Sequence, residues 1–117
     1  MKILMPLLGE SIAPRFDLAV EVLIAEADAT GALGGEPRIV LLPGPSADAL
    51  CALILKEGVG LVVCGAIEES HFQYLSWKKI KVTDRVIGPW QQALERALAN
   101  RLKPGEVLRK KNTGGKP

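Results

Sequence analysis

Four side chains in this sequence are best suited to chemistry: Arg15, Cys64, His71 and Arg85. A thiol and an imidazole are metal-ligand types, while guanidiniums present a rigid fork of donors that matches anions. Glu10, Asp17, Glu68, Glu69 and Asp84 stand near them in the chain, and Glu68-Glu69-Ser70 opens an expected helix whose positive end also favours an anion. The set therefore suits holding an anion or a metal-sulfur species. Each member also has a packing role open to it. Cys64 follows Leu61-Val62-Val63 as a small buried hydrophobe would, His71 lies beside Phe72, and Arg15 can pair with Asp17.

Several catalytic classes are absent. Two-metal phosphodiester hydrolysis needs carboxylates on adjacent strands, yet the first strand carries none and Asp84 has no evident partner. There is no Gly-x-Ser-x-Gly elbow and no phosphate loop, and the single histidine has no nucleophile paired with it in sequence. A non-catalytic binding protein is expected.

The elements that position these groups follow from hydrophobic pattern. Residues 2–8 read as a buried strand despite Pro6, residues 20–26 alternate as a second strand, and residues 38–42 form a third, closed by Pro43-Gly44-Pro45. Ser46 caps a helix over 47–57 that Gly58 stops, with Cys51 in its apolar middle. Residues 60–64 have the form of a central parallel strand, a helix runs from Glu68 to about Trp77, and residues 80–82 make a short fifth strand. Pro89 starts a third helix, with Trp90, Ala93, Leu94, Ala97 and Leu98 on its inner stripe, ending near Leu102. Trp77, Trp90 and Tyr74 read as packing side chains. The order βββαβαβα implies an α/β three-layer fold of the ribonuclease-H-like kind: a mixed five-stranded sheet, strands one, four and five parallel, with helices on both faces. Ligands collect beyond the carboxyl ends of such parallel strands. That rule gathers the loop 9–17, the turn Cys64-Gly65-Ala66-Ile67 and the segment Thr83-Asp84-Arg85 on one rim.

Size and charge bound the rest. The 117 residues suit one domain, and with 48% hydrophobic but 4% aromatic residues its core must be aliphatic. The net charge of +2 is uneven, because residues 103–117 carry +4 and residues 1–102 carry −2. The domain is therefore placed at 1–102, with a basic tail over 103–117 that reads as disordered. Two cysteines without Cys-x-x-Cys spacing, a short apolar start and no membrane-length run point to a soluble cytoplasmic protein. Nucleic-acid binding would rest on Arg109-Lys110-Lys111 alone and is disfavoured. The exposed edge of the three-strand meander leaves a homodimer open.

The opening Lys2-Ile3-Leu4-Met5-Pro6, the loop Ala13-Pro14-Arg15-Phe16-Asp17-Leu18-Ala19, the run Gly58-Val59-Gly60-Leu61-Val62-Val63-Cys64-Gly65-Ala66-Ile67 and the closing Ile80-Lys81-Val82 together carry a resemblance. Over about residues 1–100 the chain resembles the dinitrogenase iron-molybdenum cofactor biosynthesis family, the NifX-like group that includes the carboxyl-terminal domain of NifB-like proteins. The resemblance implies a ribonuclease-H-like fold without nuclease activity that carries an iron-molybdenum or other metal-sulfur cluster during metalloenzyme assembly. A recipient apo-metalloenzyme or assembly proteins would be its partners. The resemblance and the shared rim together give Arg15, Phe16, Cys64, Gly65, Ala66 and Arg85 as cofactor-binding positions, and Cys64 and His71 as replacement metal ligands if the rim brings them close. The family loop usually reads Ser-Pro-His-Phe-Gly, whereas Arg15 and Asp17 stand here at the His and Gly positions. Arginine has no lone pair to give a metal, so that ligand role does not carry over. The departures motivate a second reading, a regulatory or interaction module of the same fold that has lost its cofactor.

Overall fold

The computed structural model describes residues 1–109. Its sheet has six strands: β1 (Lys2–Leu8), β2 (Ser11–Ile12), β3 (Glu21–Glu26), β4 (Arg38–Leu41), β5 (Val59–Val63) and β6 (Lys81–Thr83). Helices α1 (Ala47–Glu57), α2 (Glu69–Trp77) and α3 (Trp90–Leu98) complete the mixed α/β fold. The strand order is β4-β3-β1-β5-β6, with β2 added to β1. β1, β5 and β6 run parallel, and β3 and β4 are antiparallel to their neighbours. The sixth strand is the two-residue β2, folded back from the segment expected to be loop.

Strand alternation sends residues to two separate cores. Leu4, Val22, Ile24 and Val62 meet Leu50, Ile54 and Leu75 of α1 and α2 on one face. Ile3, Met5, Leu23 and Val63 meet Ala93 and Leu94 of α3 on the other. Pro6 sits in the central strand, not at an edge. β5 pairs only with Lys2, Ile3 and Leu4, so beyond Leu4 that side of β1 is free of β5, and the Pro6 carbonyl there accepts from the Ala13 amide at 2.9 Å. No ladder donor is missed.

The caps hold α1 as its sequence requires: Ser46 Oγ accepts from the Ala49 amide at 3.1 Å, and Gly58 takes φ 69°. α3 ends at Leu98, four residues before the expected stop. Asn100 adopts φ 59°, with its amide on Ala97 O and that of Arg101 on Arg96 O, which closes the helix in a left-handed cap. The order of the chain also continues past 102. Leu108 is buried in the α3-side core, the Leu108 and Ile87 amides bond to Ile87 O and Glu106 O, and Arg96 pairs with Glu106 at 2.6 Å. Residues 103–108 are therefore held against the domain by these bonds and by the Leu108 side chain, while the disorder expected of 110–117 lies outside the described residues. Trp77 departs from the packing role expected of it: it is exposed, with Lys78 Nζ 4.9 Å from its ring centroid. No helix among the described residues is long and apolar enough to cross a membrane.

Candidate functional site

The three loops expected to share a rim are joined by main-chain hydrogen bonds. After β1 and β2, the chain over 13–16 forms a parallel bridge to the turn after β5, in which the Ala66 amide bonds to Pro14 O and the Phe16 amide to Ala66 O, both at 2.8 Å. From the other side the Arg85 amide bonds to Gly65 O at 2.9 Å and the Val86 amide to Cys64 O at 3.0 Å. Gly65 is the point of closest approach. A Cβ there would meet Ala13 O at 2.4 Å and Pro14 O at 2.5 Å, so only glycine lets the two loops touch. Arg85 holds its place at φ 57°, a left-handed conformation that costs a non-glycine residue about 1 kcal/mol.

The side chains divide between surface and interior. The Arg15 guanidinium is exposed and grips Asp17 in two bonds, Nε to Oδ1 at 3.0 Å and a terminal nitrogen to Oδ2 at 2.7 Å. That bond is the main reason the Asp17 carboxyl is held below its ordinary value. Arg85 is exposed and lies 3.4 Å from Asp84 Oδ2. Phe16 is buried against the α1–α2 core. Cys64, by contrast, is fully enclosed, and burial, aided by the Asp84 charge, pushes its thiol up to about 12. It stays protonated at neutral pH and belongs to the core, not to the rim surface.

His71 projects from α2 towards Phe16, with ring centroids 6.2 Å apart. Its Nδ1 lies 3.7 Å from Glu68 and its Nε2 3.9 Å from Asp48, both beyond hydrogen-bond reach. Among the described residues no three of His, Cys, Asp and Glu come together as a metal-binding group. The rim thus gathers Arg15, Gly65, Ala66 and Arg85 through the main chain, with the Cys64 side chain enclosed behind it.

A feature missed at the sequence level lies beside Arg15. Residues 7–8, 13–15 and 18–21 line a groove of about 290 Å³ whose walls are Leu8, Pro14, Leu18, Val20 and their neighbours, with Arg15 among them. Leu8, Leu18 and Val20 are exposed there. The signal available in the sequence was Leu8 and Leu18, two large apolar residues flanking a polar loop. In three dimensions the arrangement offers soft, apolar contact with a guanidinium at hand, which suits an anion with a weakly hydrated body.

Comparison of the sequence with protein-family models finds no match, and comparison with the curated proteins finds none either. Solved structures do match. A candidate dinitrogenase from Methanocaldococcus jannaschii is 19% identical with a TM-score of 0.71, covering 88% of this chain and 92% of its own. A candidate NifB protein from Thermotoga is 17% identical with a TM-score of 0.67 over 94% of this chain and 98% of that one. This chain has their fold. The apo form of the orange protein from Desulfovibrio gigas shares it too, at 24% identity and a TM-score of 0.64 over 88% of this chain and 91% of that one.

Proposed function

We propose that this chain is a NifX-like member of the dinitrogenase cofactor family, with the ribonuclease-H-like topology. In this reading it is a non-catalytic carrier of an anionic metal-sulfur cluster. The observation that carries the reading is the Gly65 contact, which fixes the 13–19 loop so that Arg15 stands at an apolar groove on the carboxyl side of the parallel strands. Shared fold with the dinitrogenase-like and NifB-like proteins supports it.

The cluster is cargo, held without protein thiolate. A sulfide-rich cluster is polarisable and weakly hydrated, so Leu8, Leu18 and Val20 supply its apolar contact, while Arg15 and Arg85 supply charge-assisted hydrogen bonds. Arg15 must exchange its Asp17 contact for the cargo, and an exposed ion pair of this type is weak enough to exchange. Cys64 supports the rim from within the core. Loose holding suits a protein that passes its cargo to a recipient apo-metalloenzyme.

Anaerobic incubation of the apo-protein with iron, molybdate and sulfide tests the reading by charge-transfer absorption that co-elutes with the chain. Arg15→Ala is expected to weaken that signal at least tenfold, and Cys64→Ala to preserve it. Absorption that never co-elutes, or that depends on Cys64 alone, refutes this site. The Arg15–Asp17 pair favours the second reading, a module that has lost its cargo; capture of one stable partner by the metal-free protein, unaffected by Arg15→Ala, would support it.

A further inference from the structure

β4 ends the strand order, and among the described residues nothing pairs with its outer side. Which of its groups face outward follows from the ladder. The Leu42 amide bonds to Val20 O at 2.8 Å, so residues 42, 40 and 38 direct their main-chain polar groups to β3, whose register pairs Val22 with Val40 and Ile24 with Arg38. Ile39 and Leu41 therefore turn their N–H and C=O outward. The next positions of that parity are Pro37 and Pro43, which have no N–H to offer. The open edge is thus two donors and two acceptors long, and it is bounded by prolines placed symmetrically about Val40.

The side chains are unguarded as well. Ile39 and Leu41 are 51% and 69% exposed, on the face where α3 covers Leu23 but stops short of the edge. Arg38, the one charge in the strand, is tied back to Glu57 of α1. An exposed edge with no bulge, free charge or covering segment is a template for another strand, and the short length of β4 and its flanking prolines confine such pairing to the residues between them.

We infer that β4 pairs antiparallel with β4 of a second copy, about a two-fold axis through Val40. A two-fold normal to the sheet keeps each face on its own side, so opposed residues must have the same parity. Centring on Val40 meets that condition. It sets Ile39 opposite Leu41 of the other copy in a hydrogen-bonded pair, makes four main-chain bonds, and opposes Pro37 to Pro43. Ile39 and Leu41 of both copies then form one apolar cluster. The two rims lie at opposite ends of the joined sheet, so both remain open to cargo.

Sedimentation equilibrium of the full chain at increasing concentration is the test, with two double variants that read the register. Ile39→Lys/Leu41→Lys puts like charges opposite each other across the axis, and Ile39→Lys/Leu41→Glu puts opposite charges there. The wild type is expected to show a monomer–dimer equilibrium. The Lys/Glu variant should dimerise about tenfold more tightly than Lys/Lys, since two cross-strand pairs change sign. Val40→Cys should give a covalent dimer on oxidation, because a non-hydrogen-bonded pair brings Cα atoms to about 4.5 Å, within disulfide range. Cys51 and Cys64 are buried and do not compete. A wild type that is monomeric throughout, or equal dimerisation by both double variants, overturns the inference.

Discussion

Gly65→Ala is the sharpest perturbation of the rim. Gly65 does not have a left-handed φ, so the new methyl acts by contact and not by backbone strain. Its Cβ would stand 2.4 Å from Ala13 O, 2.5 Å from Pro14 O and 2.8 Å from the Pro14 carbonyl carbon, all main-chain atoms. Restoring an ordinary carbon–oxygen distance of roughly 3.3 Å moves the 13–14 segment by about 0.9 Å. That shift breaks or stretches the two 2.8 Å bonds between this segment and Ala66. Two main-chain hydrogen bonds at about 1 kcal/mol each, with about 1 kcal/mol of overpacking, give a loss of about 3 kcal/mol. With a urea slope of about 1.5 kcal/mol/M, the midpoint of unfolding falls by about 2 M. Gly44→Ala is the control, because a Cβ there meets nothing within 4 Å, and it should stay within about 0.5 kcal/mol of wild type. A Gly65→Ala midpoint equal to that of the control refutes the clamp.

Stability should decline above about pH 9. The Cys64 thiol is raised to about 12 and that of Cys51 is raised too, both chiefly by burial, so the unfolded chain loses these protons while the folded chain keeps them. Chemical denaturation from pH 7 to 10 checks this, and Cys64→Ala should flatten the decline. Asp17 has the opposite sign: its lowered value makes the Arg15 contact stabilising above the usual carboxylate range and lost as pH falls through the folded value. A side-chain NMR titration should find the Asp17 carboxyl returning upward towards 3.8 in Arg15→Ala. Leu108→Ala should cost about 2–3 kcal/mol, read as a fall in Tm of about 10 °C, since Leu108 fills the α3-side core.

Much of the fold was legible because its signals are local. Ser46 and Gly58 bracket α1, the apolar run before Cys64 marks β5, and Pro89 precedes α3. The convergence of three loops followed from one rule about parallel strands. What escaped depended on tertiary context. β2 is two residues long, too short to carry a period, and exists because β1 offers a free side beyond β5. Asn100 stops α3 early by entering the left-handed region, a choice that aspartate or asparagine permits but does not compel. Leu108 looked like part of a polar tail, yet Ile87 supplies main-chain partners that dock it. At the site, the sequence offered Cys64 both as a rim thiol and as a small buried hydrophobe after Leu61-Val62-Val63, and in the structure it is buried in the core. The groove was hidden for a related reason: Leu8 stands apart from Leu18 and Val20 in sequence and joins them in one surface only when the 13–19 loop folds back.

In the proposed function, Arg15 and Arg85 on the rim hold an anionic metal-sulfur cargo while Cys64 stays out of contact. Elemental analysis of iron and molybdenum per chain, on protein loaded and purified without oxygen, tests it most directly. Wild type and Cys64→Ala should retain the same metal content, and Arg15→Ala/Arg85→Ala should retain about a tenth of it or less. Metal-free wild type, or metal lost only with Cys64, would rule out cargo binding by the two arginines.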